Sequence, residues 1–177
     1  VLLIGGNGFL GKGLQKELNR RLVDFVSIDK QDIDLVDRNS ANKLVDILEN
    51  ITHVVILASN VGTNIFNGRD SEILKAAYEN SAILENIKTA IYIANKKYRK
   101  KYNLTFYSTS EVYGNQRSIY STIKSITSYN IVKDKGLRYL YAYIKEKFEK
   151  DYKKIISMFD SPINCFKVIR PFNVVGE

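Results

Sequence analysis

Two residue patterns in this chain could do chemistry, and the first binds phosphate. Gly5, Gly8 and Gly11 stand at Gly-x-x-Gly-x-x-Gly spacing in GGNGFLG, after an apolar run at residues 1–4 and before Leu10, Leu14 and Leu18 at helical intervals. In a strand, turn and helix of this kind, Gly5 permits the tight turn and Gly8 lets the backbone approach a pyrophosphate. Gly11 lets the helix pack closely, and the phosphates face the helix N-terminus. Asp29 follows Gly11 by eighteen residues, near the ~20-residue offset at which a carboxylate takes the ribose hydroxyls of NAD. A carboxylate there repels a 2′-phosphate, so NAD is favoured; Lys30, Arg20 and Arg21 nearby keep NADP as the alternative. Asp34 and Leu35 are placed where they could flank the adenine.

The second pattern is a tyrosine four residues before a lysine. It occurs as Tyr92 with Lys96, Tyr120 with Lys124, Tyr129 with Lys133, Tyr141 with Lys145 and Tyr143 with Lys147. On a helix, positions i and i+4 share a face, and an ammonium beside a phenol favours the phenolate. Spacing alone does not choose among the five.

The elements that must position these groups alternate along the chain. Strands are expected at residues 1–4, 22–28, 53–58, 104–108 and 164–169, and helices from residue 10, at 41–49, at 71–97 with a break near Asn80, and at 136–159. The run HVVILA at 53–58 reads as a strand buried on both faces, as in a parallel sheet. Strands alternating with helices, without an internal repeat, predict an α/β fold with a Rossmann-like, doubly wound parallel sheet. Only two prolines occur, nothing suggests a linker, and residues 1–177 are expected to form one dinucleotide-binding domain. Because the chain opens without Met and stops after a motif-like segment, it is expected to be the N-terminal part of something longer.

Composition narrows the partners. The net charge of +8 comes mostly from dispersed lysines. The densest cluster, Lys96, Lys97, Arg99, Lys100 and Lys101, falls where a helix should end and suits its dipole. No nucleic-acid-binding motif accompanies the charge, so no nucleic-acid partner is expected. No long apolar run exists to cross a membrane. The single Cys165 lies beside Phe166, Val168 and Ile169, reads as a packed thiol, and fits a reducing cytoplasm. No metal site is expected.

The segments GGNGFLG, YSTSEVYG, YAYIKEKFE and RPFNVVG occur in the order and approximate spacing of extended short-chain dehydrogenases/reductases of the NAD-dependent epimerase/dehydratase family. The chain resembles that family along nearly its whole length. The resemblance implies a nucleotide-sugar substrate bound mostly by a C-terminal lobe, most of which is missing here. It also implies a homodimer packed through the helices at 71–97 and 136–159. Tyr141 would be the acid/base for a sugar hydroxyl, with Lys145 lowering its pKa and holding the nicotinamide ribose. This pair is favoured over Tyr143 and Lys147 because Glu149 completes a Tyr-x-x-x-Lys-x-x-x-Glu pattern. Thr109 would orient the substrate oxygen and Glu111 would stand near the reacting carbon, with Ser110 and Asn173 against the substrate. Cofactor contacts are implied at Phe9, Leu10, Leu57, Ala58, Asn80, Ser108 and Phe172.

The same resemblance sets limits on the reaction. Ser110 occupies the position at which sugar-nucleotide dehydratases carry Asp, and serine is a poor acid at neutral pH. An epimerase acting through transient oxidation is favoured. A nucleotide-sugar uronate decarboxylase remains an alternative, because Thr-Ser-Glu also fits that group. So does a catalytically silent NAD-binding regulator, because Ile144 stands where a Ser commonly precedes the catalytic Lys.

Overall fold

In the computed structural model, residues 1–60, 70–113 and 137–172 are described. They contain β1 (Leu2–Ile4), α1 (Phe9–Arg20), β2 (Val26–Ile28), α2 (Ser40–Ile47), β3 (His53–Ile56), α3 (Asp70–Tyr98), β4 (Tyr102–Tyr107), α4 (Leu137–Ile156) and β5 (Ile163–Ile169). One-turn 3-10 segments follow α2 at Leu48–Asn50 and β4 at Ser110–Tyr113. The strands form one parallel sheet in the order β2-β1-β3-β4-β5.

That order explains the layering. From β1 the chain steps outward to β2, then returns past β1 to β3 and continues to β4 and β5. With right-handed crossovers, the reversal puts α1 on one face and α2, α3 and α4 on the other. α3 packs against both α2 and α4. Leu2, Leu3 and Ile4 are all buried, as are Val54, Val55 and Ile56. A strand covered by helices on both faces requires this composition. Under β4 and β5 an aromatic cluster fills the α4 side: Phe148 lies 4.6 Å from Phe106 and 4.1 Å from Tyr152, whose ring lies 5.2 Å from Phe166.

The doubly wound α/β expectation holds, with several local corrections. α3 runs without interruption through Asn80, whose side chain bonds to a neighbouring loop instead of capping a helix start. β2 covers only the end of 22–28, because Leu22 adopts a left-handed φ of 55° and turns the chain. Among the described residues β5 is a sheet edge, and Cys165 there is half-buried rather than a packed thiol, with Ile169 exposed. The basic cluster after α3 is partly engaged: Lys97 pairs with Asp46 at 2.9 Å, and the Lys100 ammonium donates to the Glu49 carbonyl. No helix of the described residues is long and apolar enough to cross a membrane.

Two glycines of α1 separate packing from propensity. A Cβ on Gly11 would fall 2.6 Å from Gly6 Cα and closer still to its carbonyl, whereas a Cβ on Gly13 meets nothing within 4 Å. Gly11→Ala is expected to lower unfolding free energy by about 1–3 kcal/mol through overpacking. Gly13→Ala is expected to raise it by about 0.5–1 kcal/mol through helix propensity. Urea denaturation of the two variants checks the opposite signs.

Candidate active site

Where the sheet order reverses, beyond the C-terminal ends of β1 and β3, loops diverge and leave a crevice. The turn that lines it needs glycine at its first position. Gly5 has a φ of +91°, and a Cβ there would lie 2.7 Å from Ala58 N. Its amide donates to Ile28 O at 2.9 Å, while the Leu57 and Ala58 amides both reach Ile4 O, at 2.9 and 2.8 Å. The ends of β1, β2 and β3 are thus joined by backbone alone. Gly8 differs, since a Cβ there would meet only Gly5 O, at 3.5 Å. The protein's own packing tolerates a side chain at that position, and the space is free for a ligand. Gly8 also caps α1 with no side-chain hydrogen bond, so the first-turn amides of Phe9, Leu10 and Gly11 have no partner within the helix.

The crevice has a volume of about 420 Å³. Among the residues expected to hold a cofactor, Gly5, Gly8, Asp29, Asp34, Leu35, Leu57 and Ala58 line it. Asp29 ends β2 with its carboxylate steered by two amides, Asn7 N at 3.1 Å and Lys30 N at 2.7 Å. Leu35 is buried beneath the same wall, and Asp34 faces Lys30 at 3.9 Å. Phe9 is exposed and Leu10 is half-buried at the start of α1. The residues fit a dinucleotide: uncapped helix amides and a glycine cradle for the diphosphate, and a carboxylate at the far end of β2 for a ribose.

The second pattern converges on the end of β4. Lys145 is fully buried, donates to Tyr107 O at 3.0 Å, and lies 4.7 Å from the centre of the Phe106 ring and 5.5 Å from that of Tyr141. Burial pushes its pKa down to about 7, opposed by the Glu149 carboxylate. Burial also raises the pKa of Tyr141, with Glu111 adding to the rise and a hydrogen bond with Ser59 opposing it. The ammonium is therefore engaged by a carbonyl, and Tyr141 rests as a phenol. Tyr143 and Lys147 are exposed on the opposite side of α4, and Ile144 packs against the core. The pairs at 120/124 and 129/133 lie outside the described residues, as does Asn173.

Thr109 opens the 3-10 turn, its hydroxyl accepting from Glu111 N at 3.2 Å. Ser110 N donates to Pro171 O at 3.2 Å, and the Ser108 hydroxyl is buried with no hydrogen-bond partner among the described residues. Arg170 clamps this region. Its guanidinium makes a two-pronged pair with buried Glu149, which raises its pKa, and lies 5.0 Å from the Tyr113 ring centre. Phe172 is mostly exposed and stacks on Tyr113 at 6.2 Å, away from the crevice wall.

Asn80 was expected from sequence as a cofactor contact, but its hold on the loop after β3 and the part played by Glu79 were not. Asn80 on α3 accepts from Asn60 N at 2.7 Å and from the Ser59 hydroxyl at 3.0 Å, and donates to Asn60 O at 3.0 Å. Glu79 accepts from the Asn60 side chain at 2.7 Å and itself lines the crevice. These bonds span about twenty residues of sequence, so no local spacing announces them. Gly6 was also overlooked: a Cβ there would run into the Ser27 hydroxyl.

A reversing parallel sheet with a glycine turn at its switch point defines a dinucleotide-binding α/β domain. The chain belongs to the NAD dependent epimerase/dehydratase family, whose profile matches residues 1–177. A search of curated proteins gave no match. Among solved structures, a GDP-L-fucose synthetase from Naegleria fowleri bound to NADP is 19% identical, with a TM-score of 0.71 over 99% of this chain and 54% of that one. A dTDP-4-dehydrorhamnose reductase from Bacillus anthracis in complex with NADP is 20% identical, with a TM-score of 0.65 over 97% and 52%. A GDP-D-glycero-L-gluco-heptose synthase from Campylobacter jejuni is 17% identical, with a TM-score of 0.73 over 99% and 48%. The likeness is one of fold, and the chain spans about half the length of these structures.

Burial of Lys145 has a pH signature. Its folded pKa near 7 lies below the ordinary lysine value of 10.5, so between these values the unfolded chain binds more protons and stability rises with pH. The buried tyrosines act in the opposite sense, but only above about pH 10. Unfolding free energy is therefore expected to increase from pH 7 to 9. Lys145→Met should flatten that increase in parallel urea titrations.

Proposed function

We propose that this chain is the cofactor-binding part of an NAD-dependent nucleotide-sugar epimerase that works by transient oxidation of a sugar hydroxyl. The observation that carries the proposal is the meeting of fully buried Lys145, Tyr141 and the Thr109 turn beside the glycine-lined crevice. Bound in the crevice, NAD supplies an acceptor and later a donor of hydride.

Each of the chain's own residues has a place in that reaction. In its phenolate form Tyr141 takes the proton of the sugar hydroxyl, becoming the phenol, and returns that proton after the configuration has changed. Thr109 orients that oxygen, with Ser110 beside it. Lys145 sits one helical turn below Tyr141, and its positive charge favours the phenolate once proton transfer begins. The resting phenol of Tyr141 is the form that donates a proton when a keto sugar is reduced. Glu111 supplies a carboxylate base at the reacting carbon, and Asn173 contacts the sugar diphosphate. On the cofactor side, Gly5, Gly8 and the amides of Phe9, Leu10 and Gly11 receive the diphosphate, Asp29 the ribose, and Asp34 and Leu35 the adenine. Leu57, Ala58, Asn80 and Ser108 complete the nicotinamide side.

Asp29 and Asp34 line the ribose end of the crevice, with Asp32 bonded to Asp29 N behind them and Lys30 as the neighbouring cation. That balance supports NAD over NADP, since a 2′-phosphate would face several carboxylates. Exposed Leu74 and Tyr78 on α3 and Tyr143 on α4 support a homodimer packed through these helices.

The test is to incubate the full-length protein with NAD and a panel of UDP-, GDP-, CDP- and dTDP-sugars, uronates included, and to follow products by mass spectrometry and NMR. A new stereoisomer of unchanged mass supports the epimerase. Loss of carbon dioxide identifies a decarboxylase instead, loss of water a dehydratase, and NAD binding without turnover a regulator. In the active protein, Tyr141→Phe is expected to reduce kcat by on the order of 10²–10⁴-fold while leaving the Kd for NAD, read by calorimetry, within twofold.

A further inference from the structure

One wall of the crevice is built from a segment without regular structure, residues 29–39, between β2 and α2. Three of its four carboxylates take amides only from its own backbone. Asp32 accepts from Asp29 N at 2.8 Å, Asp34 from Val36 N at 3.1 Å, and Asp37 from Asn39 N at 3.0 Å. Bonds of such short range shape turns but do not fix the segment relative to the sheet. The Asn7 amide on Asp29 anchors its first residue, and two longer-range features hold the rest. Ile33 and Leu35 are sunk into the core, and the side-chain amide of Asn86, six residues past Asn80 on α3, donates to Leu35 O at 2.8 Å and to Asp37 O at 3.1 Å.

The arrangement is two-sided. Asn80 grips the loop after β3 and Asn86 grips the loop after β2, and both loops line the crevice. α3 itself is held against the sheet by Leu84, Ile87 and Ala90, all buried in the core. A single helix thus spaces the opposite walls with two amides six residues apart. We infer that Asn86 is a positioning residue for the adenosine end of the bound dinucleotide, holding Leu35 and the adjoining backbone at the spacing the adenine requires. This inference rests on the reading of the crevice as an NAD site.

The physical consequence is local. Without the amide, the carbonyls of Leu35 and Asp37 lose their donor and the segment can drift toward solvent. The adenosine half of the ligand would feel that loss, whereas the glycine turn and the end of β4, to which the bonds of Asn86 do not reach, would not. Asn86→Leu removes both bonds, Asn86→Asp keeps the size but cannot donate, and Asn86→Gln keeps the donor on a longer arm.

Calorimetric titration of the full-length protein and the three variants with NAD, ADP-ribose and nicotinamide mononucleotide tests the inference, together with urea denaturation of each unliganded protein. Asn86→Leu and Asn86→Asp are expected to weaken NAD and ADP-ribose on the order of tenfold, the equivalent of about 1.4 kcal/mol. Nicotinamide mononucleotide should stay within twofold, and Asn86→Gln should recover part of the loss. In turnover, KM for NAD should rise while kcat at saturating NAD is unchanged. Equal weakening of all three ligands, or NAD binding as tight as in the parent, would overturn the positioning role. A parent protein that binds neither NAD nor ADP-ribose overturns the cofactor reading on which the role depends.

Discussion

The crossing of two backbones at the switch point is the constraint from which the site follows. Gly5 passes so close to Ala58 that no Cβ fits between them, and the carbonyl of Ile4 receives amides from both Leu57 and Ala58. β1 and β3 are thereby locked together at their C-terminal ends, just where the chain changes direction across the sheet. The loops after β1, β2 and β3 must then leave in different directions, which opens the crevice. Any residue larger than glycine at position 5 would face both the close contact and an unfavourable positive φ.

A second constraint comes from burying charge. Lys145, Glu149 and Arg170 lie at or near the interface between α4 and the ends of β4 and β5, where water is excluded. Such groups persist only with partners in good geometry. Lys145 has the Tyr107 carbonyl and the face of the Phe106 ring; Glu149 has the two-pronged grip of Arg170; Arg170 also covers Tyr113. The pairing ties α4 to the turn that carries Thr109 and Glu111. The aromatic cluster of Phe106, Phe148, Tyr152 and Phe166 then supplies the apolar contact that seats the helix.

α3 is the third structural member. Its mean composition is barely amphipathic, because it packs between α2 and α4 and reaches two loops with polar side chains. Asn80 and Asn86 are buried or half-buried amides whose partners lie twenty to fifty residues away. They explain why a helix of 29 residues carries asparagines in its interior, where local propensity disfavours them. The expectation of a break at Asn80 came from that propensity, and tertiary hydrogen bonding overrode it.

The order of strands and helices, the glycine turn and the acidic residue at the end of β2 were all legible from sequence. They depend on short-range rules: apolar runs for buried strands, helical spacing, and glycine where the backbone must approach itself. The doubly wound α/β class followed from alternation alone. What tertiary structure decided was everything that turns on distant partners. It chose the burial of Lys145 over the exposure of Lys147, moved the lysine's hydrogen bond to Tyr107 O and left Tyr141 a phenol. It also left Cys165 half-buried on β5, and it recruited Ser59, Asn60 and Glu79 to the wall. A sequence records which groups can ionise or donate; their desolvation and their partners across the fold determine which of them do.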